Sequence, residues 1–146
     1  MAENSSISYL LRVLNESFRS VFNQRVRDLS LTSTQVSVLL YLASRNPEPV
    51  SLKEIASFMG LSHPTVIEIV KRLDQKSYVQ NFPDEKDRRC RNIQLTEQAM
   101  AVLEELEGYR AEMDDLLLEG FDAEEIRKIR EILGRMRENL IRFSEK

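Results

Sequence analysis

Two helix starts set close together constrain this chain more than any other feature. Ser51 with Glu54 three residues on forms a capping box, and Ser62 with Pro64 in the turn that follows marks a second start. Gly60 lies between them, where a C′ residue commonly closes a helix. The spacing predicts two short helices, 51–59 and 62–77, joined by a tight turn, with Leu52, Ile55, Ala56 and Phe58 as the apolar residues of the first. Residues 78–82 and 91–95 then read as short strands around a charged turn, 83–89. Two short helices followed by a hairpin make a winged helix-turn-helix. A helix of this kind fits the major groove of DNA, and a cationic hairpin tip reaches flanking phosphates or the minor groove.

The flanks read as helix. Ile7, Leu10, Leu11, Leu14, Phe18, Val21 and Phe22 recur at three- and four-residue steps within a first helix over 5–29. Thr32 with Gln35 opens a second helix to about Arg45, with Val36, Leu39, Leu40 and Ala43 as its apolar face. Thr96 caps a long helix to about Glu119, and Gly120 stops it. Asp122 with Glu125 opens a last helix, along which Ile126, Ile129, Leu133, Met136, Leu140 and Phe143 recur in steps of 3, 4, 3, 4 and 3. That period of 3.5 is the seam of a coiled-coil-like contact. The fold class expected is mainly α with a small β-wing: a winged helix-turn-helix lobe over 31–95, flanked by dimerisation helices over 1–30 and 96–146.

Composition supports this reading and excludes others. The 146 residues hold only 4 Gly and 4 Pro, too few for an all-β sandwich or a doubly wound α/β enzyme. One Cys and one His preclude a disulfide framework or a multi-ligand zinc site within one chain. No nucleophile–base–orienter set and no Gly-rich phosphate loop is present, so neither an enzyme nor a cofactor is expected. No apolar run approaches the length of a membrane span, and residues 1–6 lack the basic and apolar regions of a signal peptide, which makes the cytoplasm the expected compartment.

The net charge of −3 disguises an uneven distribution. Residues 1–44, 45–95 and 96–146 balance at +1, +2 and −6. Lys86, Arg88, Arg89 and Arg91 crowd into the wing, and screening lets such a local patch attract phosphate on an acidic protein.

If Val66, Ile69, Val70 and Leu73 point inward, then His63, Pro64, Ile67, Glu68 and Lys71 share the outer face of the second short helix. His63 can donate to a phosphate or to guanine, Ile67 can touch a thymine methyl, and Glu68 can accept from cytosine N4. Lys71 and Arg72 suit backbone phosphate, as do Ser62 and Thr65 at a helix N-terminus. Each has a plainer alternative: Ser62 as an N-cap alone, His63 as a solvated residue, Glu68 as the i,i+4 partner of Arg72. Cys90 stands among arginines that lower a thiol pKa, which makes redox sensing conceivable. The plainer reading is a small residue on a wing strand, and it is preferred.

Several segments together resemble the multiple-antibiotic-resistance regulator (MarR) family of bacterial transcription factors. They are Leu31-Thr32 with Gln35, Leu52-Lys53-Glu54-Ile55-Ala56, Ser62 with Thr65-Val66, Lys71-Arg72-Leu73, Asp87-Arg88-Arg89 and Leu95-Thr96. The resemblance implies a homodimer on double-stranded DNA, with the two recognition helices about one DNA turn apart on a pseudo-palindromic operator. It implies repression by blocking a promoter. It also implies that one of Arg88 and Arg89 reaches DNA, with Arg89 favoured, while the other pairs with Asp87. A small aromatic or phenolic effector is a further implied partner, with Phe18, Phe22 and Tyr41 as candidate contacts. The chain departs from the family pattern at Ser77, where Gly is usual, and at Asn81 and Ala99. Ile67 and Glu68 also depart from it, so a family-typical operator does not follow. The alternative reading is a winged-helix protein-interaction module without specific DNA binding, favoured by Glu68 and the overall acidity and opposed by the basic wing.

Overall fold

The computed structural model describes residues 6–144. The order is α1 (Ile7–Asp28), α2 (Ser33–Arg45), β1 (Val50–Ser51), α3 (Leu52–Met59), α4 (His63–Gln75), β2 (Val79–Pro83), β3 (Arg91–Leu95), α5 (Glu97–Leu117) and α6 (Ala123–Ser144). The chain is mainly helical with a small antiparallel sheet, as expected. Residue 5, at the expected start of the first helix, lies outside the described residues, and Ser6 is the cap seen there.

Helix starts follow the local chemistry. Thr32 and Ser51 each accept the N–H of the residue three ahead, and Gln35 and Glu54 reach back to close both boxes. Asp122 and Glu125 do the same at α6, at 2.8 and 2.9 Å. The Glu54 carboxyl is held below its ordinary pKa, first by the Ser51 backbone N–H it accepts and then by the Ser51 hydroxyl.

The sheet runs β1-β3-β2, all antiparallel. A third strand was not expected: β1 is only two residues long and follows Pro47 and Pro49, so no alternation announces it. It pairs Val50 with Ile93 and Ser51 with Asn92.

Chain contacts divide the molecule into two compact units, with the boundary between Gly108 and Tyr109 inside α5. In the first, Val38, Leu39, Val50, Ile55, Val66, Val70, Leu73, Ile93 and Ala99 form a continuous core. Two details differ from the expected faces. Leu40 is half exposed, because α2 packs against α1, α3 and β3 and so buries Val36, Val38, Leu39 and Leu42. Phe58 is exposed too, its ring stacked on Tyr41 at 4.0 Å. In the second unit no described residue of α6 is buried.

α4 ends in a Schellman motif. The Tyr78 N–H donates to the Leu73 carbonyl at 3.0 Å and the Ser77 N–H to Asp74 at 2.9 Å, with Ser77 at φ +59°. α1 ends the same way at Ser30, φ +56°. The left-handed geometry explains why Gly is usual at the first of these positions. An L side chain there costs about 1–2 kcal/mol, partly offset by the greater unfolded-state entropy of Gly. Ser77→Gly is therefore expected to stabilise the protein by about 0.5–1 kcal/mol. A urea titration that shows equal or lower stability would refute this.

Candidate nucleic-acid interface

The N-terminus of α4 is built by three adjacent side chains. The Ser62 hydroxyl accepts the Thr65 N–H at 3.4 Å and shares a hydrogen bond with the Thr65 hydroxyl at 2.7 Å. Pro64 occupies the first turn, where no intrahelical donor is needed. With Val66, Val70 and Leu73 buried, His63, Pro64, Thr65, Ile67, Glu68, Lys71 and Arg72 all remain exposed. The outer face thus presents the residues that the helical spacing assigns to it. Ile67, at 44% exposed, is an apolar side chain that the lobe itself leaves uncovered.

Glu68 and Arg72 lie one turn apart, and Arg72 Nε donates to Glu68 Oε1 at 3.1 Å. Both line an open groove of about 410 Å³ with Thr32 and Gln35 of the α2 start and Pro64, Thr65 and Ile69 of α4. The i,i+4 pairing is the plainer of the two roles that the sequence leaves open to Glu68.

The wing tip is organised by a residue that sequence reasoning passed over. Asp84 Oδ1 accepts the backbone N–H groups of Lys86 and Asp87 at 2.9 and 3.0 Å. Its Oδ2 accepts from Asn92 Nδ2 at 2.9 Å. The Asp84 N–H in turn donates to the Cys90 carbonyl at 3.0 Å, closing the loop. These donors hold the carboxyl below its ordinary pKa, the Asp87 N–H contributing most, then Asn92, then the Lys86 N–H. The Pro83-Asp84 pair was the available signal, since Asp in a turn bonds the backbone two residues on.

Asp87 supports the wing, but not as the resemblance implied. Its Oδ1 accepts the Arg89 backbone N–H at 3.0 Å. Among the described residues, no ion pair or hydrogen bond engages the guanidinium of Arg88 or Arg89. Arg91 differs from both. Its Nε and Nη2 donate to the side chain and carbonyl of Asn81 at 2.8 and 2.9 Å, so it is bound to the hairpin rather than held out with the tip.

The surroundings of Cys90 weigh against the sensing alternative. Its thiol lies 3.7 Å from Asp87 Oδ2, and its pKa is raised, first by the Asp87 charge, then by desolvation and by the hydrogen bond to Asp87. The nearby carboxylate outweighs the cations that suggested a lowered value.

Phe18 and Phe22 are half-buried in α1, and Tyr41 is half-buried in α2 with Phe58 stacked upon it. Neither the groove beside α4 nor a smaller one lined by Asn23, Val26, Arg27, Leu31, Thr32 and Ser33 includes any of Phe18, Phe22 and Tyr41. Among the described residues, no group of His, Cys, Asp and Glu is placed to hold a metal ion, and no helix is long and apolar enough to cross a membrane.

The helix-turn-helix, β2 and the wing tip with its arginine pair fall within the residues matched by the sequence model of the MarR family, 31–91, and β3 runs beyond them. That segment of the chain is similar in sequence to the MarR family. Solved structures extend the likeness along the chain. MepR, described as a transcription regulator of the Staphylococcus aureus multidrug efflux pump MepA, superposes with a TM-score of 0.85 at 24% identity, over 92% of this chain and 98% of that one. A variant of S. aureus MepR bound to an oligodeoxyribonucleotide gives 0.78 at 25% identity over the same shares. The crystal structure of MarR gives 0.68 at 24% identity, over 93% of this chain and 98% of that one. The MarR fold therefore includes the long helices outside the matched segment. MarR-family proteins are transcription regulators, not enzymes.

The environment of Cys90 has a chemical consequence. A thiol raised by an adjacent carboxylate holds less thiolate at neutral pH, and the thiolate is the reactive form. Iodoacetamide is expected to label Cys90 more slowly at pH 7 than it labels an unstructured cysteine peptide, and Asp87→Asn is expected to speed the reaction. Faster labelling of the wild type than of the peptide would restore the sensing hypothesis.

Proposed function

We propose that this chain is a homodimeric, DNA-binding transcription regulator that represses by occupying a pseudo-palindromic operator. The observation that carries the reading is the pair of unengaged guanidinium groups, Arg88 and Arg89, at an otherwise internally bonded wing tip. Long cationic side chains with no internal partner, on a MarR-like domain whose α4 start is fully exposed, suit a polyanion. A MepR variant solved with an oligodeoxyribonucleotide supports the same assignment. Arg88 and Arg89 supply affinity. His63, Ile67 and Glu68 face the groove floor and read bases, while Ser62, Thr65, Lys71 and Arg72 meet phosphate and Pro64 shapes the helix start.

Dimerisation follows from the long helices. Leu140 and Phe143 of α6 are 71% and 81% exposed, and Ile7, Leu10, Leu14 and Val21 line an exposed face of α1. Apolar stripes of this length on both flanking helices mark an association surface. A second copy of the chain supplies it, with 1–30 and 96–146 as the dimerisation segments and 31–95 as the DNA-binding lobe. Release by a small aromatic or phenolic effector, with Phe18, Phe22 and Tyr41 as its contacts, completes the proposal. A cytoplasmic protein with access to DNA is the setting it requires.

Two measurements test this. The first is a binding titration against a duplex selected from a random pool and a scrambled control, across a salt series. Replacing the DNA-facing arginine by Ala is expected to weaken both duplexes by similar factors and, for a phosphate contact, to flatten the log K against log salt slope by about one unit per contact. A true base reader on α4 costs about 1–3 kcal/mol on the selected duplex alone. Glu68→Ala separates the two roles of that residue. Reduced discrimination identifies a base reader, and an unchanged specificity ratio identifies a partner of Arg72. Unchanged affinities in both arginine variants would favour a protein-interaction module instead.

The second is sedimentation. The wild type is expected as a dimer at micromolar concentration, and Leu133→Glu as a monomer, because the substitution places an unpaired charge in the seam. A wild-type monomer would refute the dimer.

A further inference from the structure

Among the described residues no hydrogen bond or ion pair engages the guanidinium of Arg88 or Arg89, yet a contact to DNA requires that they leave the loop in a defined direction. Their direction is set by the backbone of residues 86–89, and nothing apolar holds that backbone, since 85–90 are all exposed. Hydrogen bonds hold it: the Asp87 carboxylate takes the Arg89 N–H and the Asp87 carbonyl takes the Cys90 N–H within the turn, while Asp84 joins the start of the turn to the sheet. Asp84 Oδ1 gathers the N–H groups of Lys86 and Asp87, immediately before the arginines, and Asp84 Oδ2 takes the Asn92 amide. Asn92 is itself fixed in the sheet, paired with Phe82 on one side and Ser51 on the other. Asp84 is thereby the side chain that joins the Lys86 and Asp87 amides to the middle strand of the sheet.

We propose that Asp84 is a positioning residue for DNA binding: bridging the Lys86 and Asp87 amides to Asn92, it fixes the wing-tip backbone from which Arg88 and Arg89 project. It rests on the DNA-binding reading above. Asp84 is on the path to DNA yet carries the same charge sign as phosphate, so it contributes through loop geometry and not through contact. Loss of the anchor leaves both arginines present, exposed and charged, but distributed over many directions, and ordering them becomes a cost of binding.

The test is a double-mutant cycle in the full-length protein, read by titration of the selected and scrambled duplexes. Asp84→Ala is expected to weaken binding to both about tenfold, comparable to one lost phosphate contact. In an Arg88→Ala, Arg89→Ala background the same substitution is expected to change affinity less than about twofold, because the groups it positions are gone. Amide hydrogen exchange at Lys86 and Asp87 is expected to quicken in Asp84→Ala, with the melting temperature little changed. Asp84→Asn, which keeps an acceptor for the two N–H groups, is expected to recover most of the affinity. Asn92→Ala removes only the tie to the sheet and is expected to show a partial loss, which keeps the test open if Asp84→Ala folds poorly. A wild-type affinity in Asp84→Ala alongside weakened arginine variants would overturn the positioning role and leave the DNA-binding reading standing. Equal losses in both backgrounds would also overturn it. No loss in the arginine variants would refute the wing as a DNA contact, and the positioning role with it.

Discussion

Ile93 is fully buried in the middle strand of the sheet, opposite Val50 on one side and Asn81 on the other. Both the helix-turn-helix and the wing depend on that register. On one edge it seats Ser51, the cap of α3, beside Asn92. On the other it sets the hairpin whose tip Asn92 anchors through Asp84. A one-residue slip would turn Ile93 and Leu95 out of the core and bring Asn92 and Gln94 in, so the buried face enforces the alignment. The same pairing that closes the core thus aims the wing.

A second constraint is the way helices end. α1 and α4 both close with a left-handed serine, and the Lys76 ammonium beyond α4 donates to the Ser30 carbonyl beyond α1. The Ser33 hydroxyl donates to Asn23 of α1 at 2.8 Å, and Arg25 of α1 pairs with Glu105 of α5 at 2.6 Å. The last two turns of α1 are therefore bonded to α2, to α5 and to the end of α4. The first turns of the same helix present their apolar face to solvent. One helix is thus bonded at its C-terminal end to the elements around it, while its first turns keep an exposed apolar face.

How much of this was legible in the sequence depends on the range of the chemistry. Capping boxes act over three residues, so Thr32, Ser51 and Asp122 announced their helices, and Gly60 announced the turn. Faces were legible only to within a residue. Leu40 and Phe58 fit an apolar stripe, but neighbours in the fold chose adjacent positions for burial. β1 was not legible, since two residues carry no alternation and only β3 makes them a strand. At the site, the outer face of α4 could be read from period alone. The organisation of the wing could not, because Asp84 and Asn92 meet only once the hairpin has paired. Cys90 has a raised rather than a lowered pKa for a related reason. Charges counted along the chain gave it three arginine neighbours, while distance gave it a carboxylate oxygen.

The wing also answers how an acidic chain can present a cationic surface. Asp84 and Asp87 sit among the wing cations, and in a direct ion pair each would cancel one of them. Instead both carboxylates are engaged by the loop: Asp84 by two backbone amides and Asn92, Asp87 by the amide of Arg89 and the thiol of Cys90. Hydrogen bonding to backbone N–H groups stabilises the Asp84 anion and occupies the Asp87 carboxylate within the turn, and the arginine side chains remain available to a ligand. Arg91, whose guanidinium is held by Asn81, shows the opposite arrangement at the start of β3, two residues beyond Arg89. The acidic residues of the wing therefore organise its cations through the backbone, and a guanidinium so placed can meet phosphate without first breaking an internal ion pair.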